Sequence, residues 1–98
     1  MPLFLIHAID KPGALDVRLA NRADHLAWVS QHKDRVRMAG PLFSEDGETF
    51  AGSCFVLEAD SLEAAQTWHS EDPYVRAGLF AHSQIHAFSW LVGAPSDT

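Results

Sequence analysis

MAGPLFSEDGETFAGSCFVLE, residues 38–58, is two strand-forming runs joined by a tight turn, and it stands between two stretches of helical period. Met38–Phe43 reads as a strand, short or bent because Gly40-Pro41 interrupts the ladder. Ser44–Thr49 (SEDGET) is the turn, with Asp46-Gly47 as its hairpin signal. Phe50–Glu58 is the next strand. A hairpin between two helices excludes a strictly alternating, parallel βαβ chain.

Working outward, residues 15–34 carry the period of an amphipathic helix. Asp16 and Asn21 lie early, and Lys33, Arg35 and Arg37 lie towards the end, a polarity that suits the helix dipole. Leu15, Leu19 and Leu26 form its apolar stripe. On the other side of the hairpin, Asp60-Ser61-Leu62-Glu63 is a capping-box pattern with the acid at the cap. The helix it opens places Leu62, Ala65 and Trp68 on one side and ends near Ser70. Asp72-Pro73 starts one further turn, with Asp72 as N-cap, and Gly78 stops it. Residues 3–9, LFLIHAI, form a first strand closed by Asp10-Lys11-Pro12-Gly13, and residues 82–91 form the last.

The order is β-α-β-β-α-β, so the expected class is α+β: a ferredoxin-like, four-stranded antiparallel sheet with both helices on one face. Residues 1–93 make one domain, and residues 94–98 are a polar tail expected to fray. Apolar residues occupy both alternations of the strands, Phe4 and Ile6 against Leu3 and Leu5, Phe88 and Trp90 against Ile85 and Leu91. A bare second sheet face would be a large exposed patch, so a homodimer packed sheet against sheet is expected.

Composition removes several functions. The 98 residues carry 7 Lys and Arg against 13 Asp and Glu, a formal charge of −6, with no basic run, which argues against nucleic acid as a partner. The single cysteine, Cys54, allows no internal disulfide and fits a reducing compartment, the cytoplasm. The apolar N-terminus lacks a basic leader region, and no run reaches the roughly 18–20 apolar residues of a membrane span, so no membrane partner is expected. His82 and His86 share a strand face but stand about 13 Å apart, too far to share one ion, so no metal is expected. Cys54 reads as a small packed hydrophobe, and His69 as a solvent-facing residue at a helix end.

The chemistry concentrates on one line of the first helix. Arg18, Arg22, His25, Val29 and His32 fall within roughly 40° of one axis line, beside the leucine stripe. An imidazole accepts and returns protons near neutrality, and guanidinium forks match planar oxyanions. Two adjacent cations also favour the neutral ring, which suits a base. The same spacing equally describes a solvated helix border. Asp72 could orient an imidazole, or could serve only as the cap of its turn; one carboxylate has lone pairs for both. Asp10 carries the same ambiguity. Tyr74 could offer its hydroxyl to a pocket or pack beside Pro73.

Taken in order, the strand ending in Asp10, Arg18-x3-Arg22-x2-His25-Leu26, Ala39-Gly40-Pro41, Gly52-Ser53, Ser61-Leu62-Glu63-Ala64-Ala65, and Asp72-Pro73-Tyr74 with Gly78 resemble the YCII-related (YciI-like) family of small bacterial proteins. The resemblance covers residues 1–91. It implies a ferredoxin-like fold assembled as a dimeric α+β barrel, with a pocket holding a His–Asp pair, here His25 and Asp72, as catalytic residues. Arg18, Arg22, Tyr74 and Ser53 are then the expected substrate contacts. A related enzyme eliminates chloride from a chlorinated hydroxyquinol, and muconolactone isomerases share the fold. The expected function is cofactor-free acid–base chemistry, of lyase or isomerase type, on a small anionic metabolite, aromatic ones among the candidates. The alternatives are a non-catalytic ligand-binding or accessory protein using the same pocket, and a purely structural assembly role.

Overall fold

A computed structural model describes residues 2–95 of the chain. Its elements are β1 (Leu3–Asp10), α1 (Leu15–Gln31), β2 (Val36–Phe43), β3 (Phe50–Glu58), α2 (Leu62–Ser70), α3 (Pro73–Arg76) and β4 (Phe80–Phe88). All three strand pairs are antiparallel, in the order β2-β3-β1-β4. The expected β-α-β-β-α-β ferredoxin-like topology is therefore present. The frayed tail expected over residues 94–98 lies outside the described residues from 96 onward.

Register explains how the two sheet faces divide. Ile6 pairs with Phe55 and Ile85, which sets Phe4, Ile6, Phe55 and Leu57 on the helix side, where they form the core with Ala65 and Trp68. The neighbouring row, His7 with Cys54 and Gln84, then belongs to the other face, along with Leu3, Leu5 and Ile9, all only half-buried. β3 runs close against β1 at Gly52, where any Cβ would collide with the Ala8 carbonyl oxygen.

Several boundaries differ from the expected ones. β2 is a continuous strand from Val36 through Gly40-Pro41. It is an edge strand, so a proline without an N–H costs it no second ladder. α1 stops at Gln31 with no basic residue in its last turn. Arg35 and Arg37 lie beyond it and turn instead to the carbonyl and carboxylate of Glu58. The N-cap of α2 is Ser61 rather than Asp60, its hydroxyl accepting the Ala64 N–H at 3.0 Å. β4 begins at Phe80, two residues early, because α3 is a single turn closed by Gly78 at φ +74°. Leu91 and Val92 consequently fall past the strand, 87% and 88% exposed.

The largest correction concerns α1 itself. Its two buried residues are Arg18 and His25, whereas Leu15, Leu19 and Leu26 are 45%, 53% and 48% exposed. The helix is rolled so that its polar line faces the protein. Burying such groups is costly unless each is paired. Both find partners at 2.8 Å, as the site shows. Trp28 and Val29 supply the apolar anchorage instead, the Trp28 ring packed against Trp68 at 4.3 Å between ring centres with the planes tilted by 31°.

Candidate active site

Four elements meet at one cavity of about 220 Å³, lined by Arg18, Arg22, His25, Leu26 and Val29 of α1, Ala39–Pro41 of β2, Phe50 and Ser53 of β3, and Tyr74 of α3. All six expected site residues except Asp72 line it, and Asp72 lies directly behind His25. His25 Nδ1 is 2.8 Å from Asp72 Oδ1, with Asp72 fully buried. Nε2 is therefore the ring nitrogen left for the cavity. The His25 ring stacks on Tyr74 at 4.0 Å between centres and 14° between planes, which leaves the imidazole little freedom to rotate.

Asp72 holds this arrangement because its carboxylate also caps α3. Oδ1 accepts the Tyr74 N–H at 2.9 Å. The cap and the imidazole thus share one oxygen, so the two readings of Asp72 coexist. The turn is closed at its other end by Leu79 N–H to Tyr74 O and Gly78 N–H to Val75 O, both 3.0 Å, the paired bonds of a Schellman stop. Lys11 N–H to Leu79 O at 2.8 Å ties that stop to the end of β1.

Arg18 is a different case from Arg22. Its Nε and Nη2 reach the two oxygens of Asp10 at 2.8 Å each, and Nη2 also reaches Ser53 Oγ at 3.0 Å. The guanidinium lies over Tyr74, 4.7 Å from the ring centre. Burial pulls the pKa of Arg18 down, but the hydrogen bonds and charge of Asp10 outweigh it and hold it above the ordinary arginine value. Arg22 is exposed, and no ion pair to it is formed among the described residues. Burial pushes the Tyr74 hydroxyl above its usual pKa, while Arg18 and Arg22 draw it back down, so that hydroxyl lies within the field of both cations. At pH 7 it is a proton-bearing donor.

Two residues were not placed at the site by spacing. Asp10 is eight positions before Arg18, and only the strand-to-helix turn brings them together. His69 is buried, not solvent-facing: its Nε2 meets Ser83 Oγ at 2.9 Å and its ring packs against Phe80 and Phe55. Burial lowers its pKa, and the nearby Asp72 carboxylate partly restores it. Helical period counted from the core residue Ala65 could have found it, since His69 lies four positions on and on the same buried face. Among the described residues no group of three or more His, Cys, Asp or Glu side chains gathers as a metal site. No helix is long and apolar enough to cross a membrane.

A ferredoxin-like domain with a polar pocket backed by a buried histidine–carboxylate pair is the class that fold and site define. The chain belongs to the YCII-related domain family, whose model matches residues 2–89. It is 40% identical over 93 residues to protein YciI of Escherichia coli O6:H1, spanning 88% of this chain and 95% of that protein. An uncharacterized protein of Haemophilus influenzae is 37% identical over 92 residues, spanning 87% and 94%. Among solved structures, 5-chloro-2-hydroxyhydroquinone dehydrochlorinase (TftG) from Burkholderia phenoliruptrix AC1100, in complex with 2,5-dihydroxybenzoquinone, superposes with a TM-score of 0.81 at 34% identity, over 89% of this chain and 93% of that one. An antibiotic biosynthesis monooxygenase at 11% identity and a TM-score of 0.52, over 91% and 97% of the two chains, shares the fold alone.

Proposed function

We propose that this protein is a cofactor-free enzyme that moves a proton on a small, hydroxylated or enolisable anionic substrate, in an elimination or isomerisation. The observation that carries the reading is the 2.8 Å contact of His25 Nδ1 with Asp72 Oδ1 behind a cavity lined by His25, Arg22 and Tyr74. The likeness to a dehydrochlorinase supports the reaction class.

In this reading His25 is the catalytic residue and Asp72 the group that orients it. The Asp72 carboxylate accepts from Nδ1–H, so Nε2 carries a lone pair towards the cavity. Nε2 takes a proton from a substrate hydroxyl or activated carbon. The electron pair released moves into the substrate, creating an enolate or phenolate oxygen beside Arg22 and the Tyr74 hydroxyl. In an elimination that pair expels a leaving anion from the adjacent framework; in an isomerisation Nε2 returns the proton to another carbon. Asp72 stabilises the imidazolium meanwhile. Arg18 is the scaffold cation, fixed by Asp10 and Ser53, and adds positive potential to the wall. Preorganised donors of this kind cost no reorganisation when charge develops.

We also propose that a second copy covers the open sheet face. Leu3, Leu5 and Ile9 are only half-buried there, and Met38 is 39% exposed. Light scattering should return twice the chain mass.

The test uses 5-chloro-2-hydroxyhydroquinone as probe, with chloride release and calorimetric affinity as readouts. His25→Ala should lower turnover by about 10²- to 10⁴-fold, the usual share of a general base. Asp72→Asn should lower the rate with little change in affinity. Binding with no turnover of this probe or a panel of related phenols in the wild type makes the pocket a carrier site rather than an active one, and turnover unaffected by His25→Ala removes His25 from the chemistry.

A further inference from the structure

His69 is the last titratable residue of α2, and its ring is buried away from the cavity. Its Nε2 is paired with the Ser83 hydroxyl on β4, but its Nδ1 is buried with no hydrogen-bond partner among the described residues. Asp72 presents the complementary deficit. Its Oδ1 serves both His25 and the Tyr74 N–H, while its Oδ2 is buried and equally without a partner. The two residues leave the same tight turn, where the Asp72 N–H donates to the His69 carbonyl at 3.1 Å.

A bare carboxylate oxygen and a bare imidazole nitrogen, both closed off from bulk solvent, are complementary in only one tautomer. With the proton on Nδ1, His69 is a donor towards Asp72, and Nε2 accepts the Ser83 O–H. With the proton on Nε2, a lone pair would stand in the field of a carboxylate, and both buried atoms would remain unmatched. We propose that His69 is a positioning residue for Asp72: its Nδ1–H reaches Asp72 Oδ2 through one bridging water, so that the carboxylate is held between two imidazoles with Oδ1 kept on His25. The inference deepens the function proposed above and rests on His25–Asp72 being its acid–base pair. The pull of Asp72 on the His69 proton affinity, against the effect of burial, is consistent with that proximity. Without a second anchor the carboxylate could rotate about its Cβ–Cγ bond and exchange its oxygens, and the tautomer of His25 would no longer be fixed.

The test is long-range proton–nitrogen correlation NMR on the uniformly ¹⁵N-labelled full chain, which reads the tautomer of each imidazole without any substrate. His69 should be the Nδ1–H tautomer at pH 7.5, and His25 should show a hydrogen-bonded Nδ1–H signal. His69→Asn places an amide donor at the Nδ1 position and should keep that His25 signal. His69→Gln places its amide at the Nε2 position and should broaden or abolish it. An Nε2–H tautomer for His69 overturns the proposal, as does an unchanged His25 signal in a His69→Gln chain whose far-ultraviolet circular dichroism is native. If His69→Gln does not fold, the wild-type tautomer decides alone. The function proposed above fails separately, through turnover that survives His25→Ala, and that outcome leaves the His69 tautomer untouched.

Discussion

Removing Asp10 tests whether Arg18 is scaffold or ligand contact. In Asp10→Ala the guanidinium stays where α1 holds it, with a side chain 4% exposed, and loses both of its 2.8 Å bonds to the carboxylate. Two charges about 4 Å apart attract by about 4 kcal/mol at an effective dielectric of 20. Stranding one member of a buried pair costs about 3–5 kcal/mol in measured cases. Ser53 Oγ remains as a single neutral acceptor and offsets about 1 kcal/mol of that. The expected loss is therefore about 3 kcal/mol. For a chain of 98 residues that lowers the melting temperature by about 12 °C or more. Replacing both partners, Arg18→Met with Asp10→Leu, leaves no stranded charge and should return the stability to within about 1 kcal/mol of the wild type. Urea titration and scanning calorimetry of the two single variants and the double variant complete the cycle. If Asp10→Ala costs less than about 1 kcal/mol, or if the double variant is as unstable as the single, Arg18 is not held in place by Asp10.

Gly52→Ala should destabilise by about 2 kcal/mol or more, read from the urea midpoint, because the added Cβ meets the backbone carbonyl of Ala8 and neither strand of the β1–β3 pair can give way cheaply. Stability should also fall on the acid side through His69. Its folded pKa lies below the ordinary 6.5, so the unfolded chain binds more protons below that pH, and the contribution present above 6.5 is lost as the pH drops towards the folded value. Urea midpoints measured from pH 7.5 to 5 should decline less steeply in His69→Gln than in the wild type; identical slopes would show that His69 titrates alike in both states.

The parts of the fold set by local period and turn chemistry were readable in advance. The SEDGET turn, the Asp72-Pro73 start and the Gly78 stop each carry a backbone requirement that few residue types meet, and each stands where spacing put it. Which face of α1 is buried was not readable. Hydropathy assigns the inside to Leu15, Leu19 and Leu26, and it has no knowledge of carboxylates contributed from elsewhere in the chain. Asp10 arrives from the strand before the helix and Asp72 from a turn 47 positions after His25. Only when both are in place does the polar line become the cheaper one to bury. His69 escaped for a related reason: a histidine at a helix end looks solvated until Ser83 of the last strand is found beneath it.

That roll of α1 links stability to chemistry in one direction. A helix seated on its leucines would have held the domain together with fewer specific partners, and would have left Arg18 and His25 in water. Seated on Arg18 and His25, the helix is oriented by two charge-bearing contacts, Arg18 to Asp10 and His25 to Asp72, at opposite ends of the pocket wall. The Asp72 contact belongs to α3, whose far end is tied through Leu79 to Lys11, the residue next to Asp10. The chain thus closes a ring of contacts, from Asp10 through Arg18 and His25 to Asp72, through α3 and back to β1. Each member is positioned by a hydrogen bond that would have to break for the imidazole to move. The cavity's geometry is consequently a property of the whole ring, and substitutions at Asp10 or Gly78, neither of which touches His25, should disturb the imidazole by way of it.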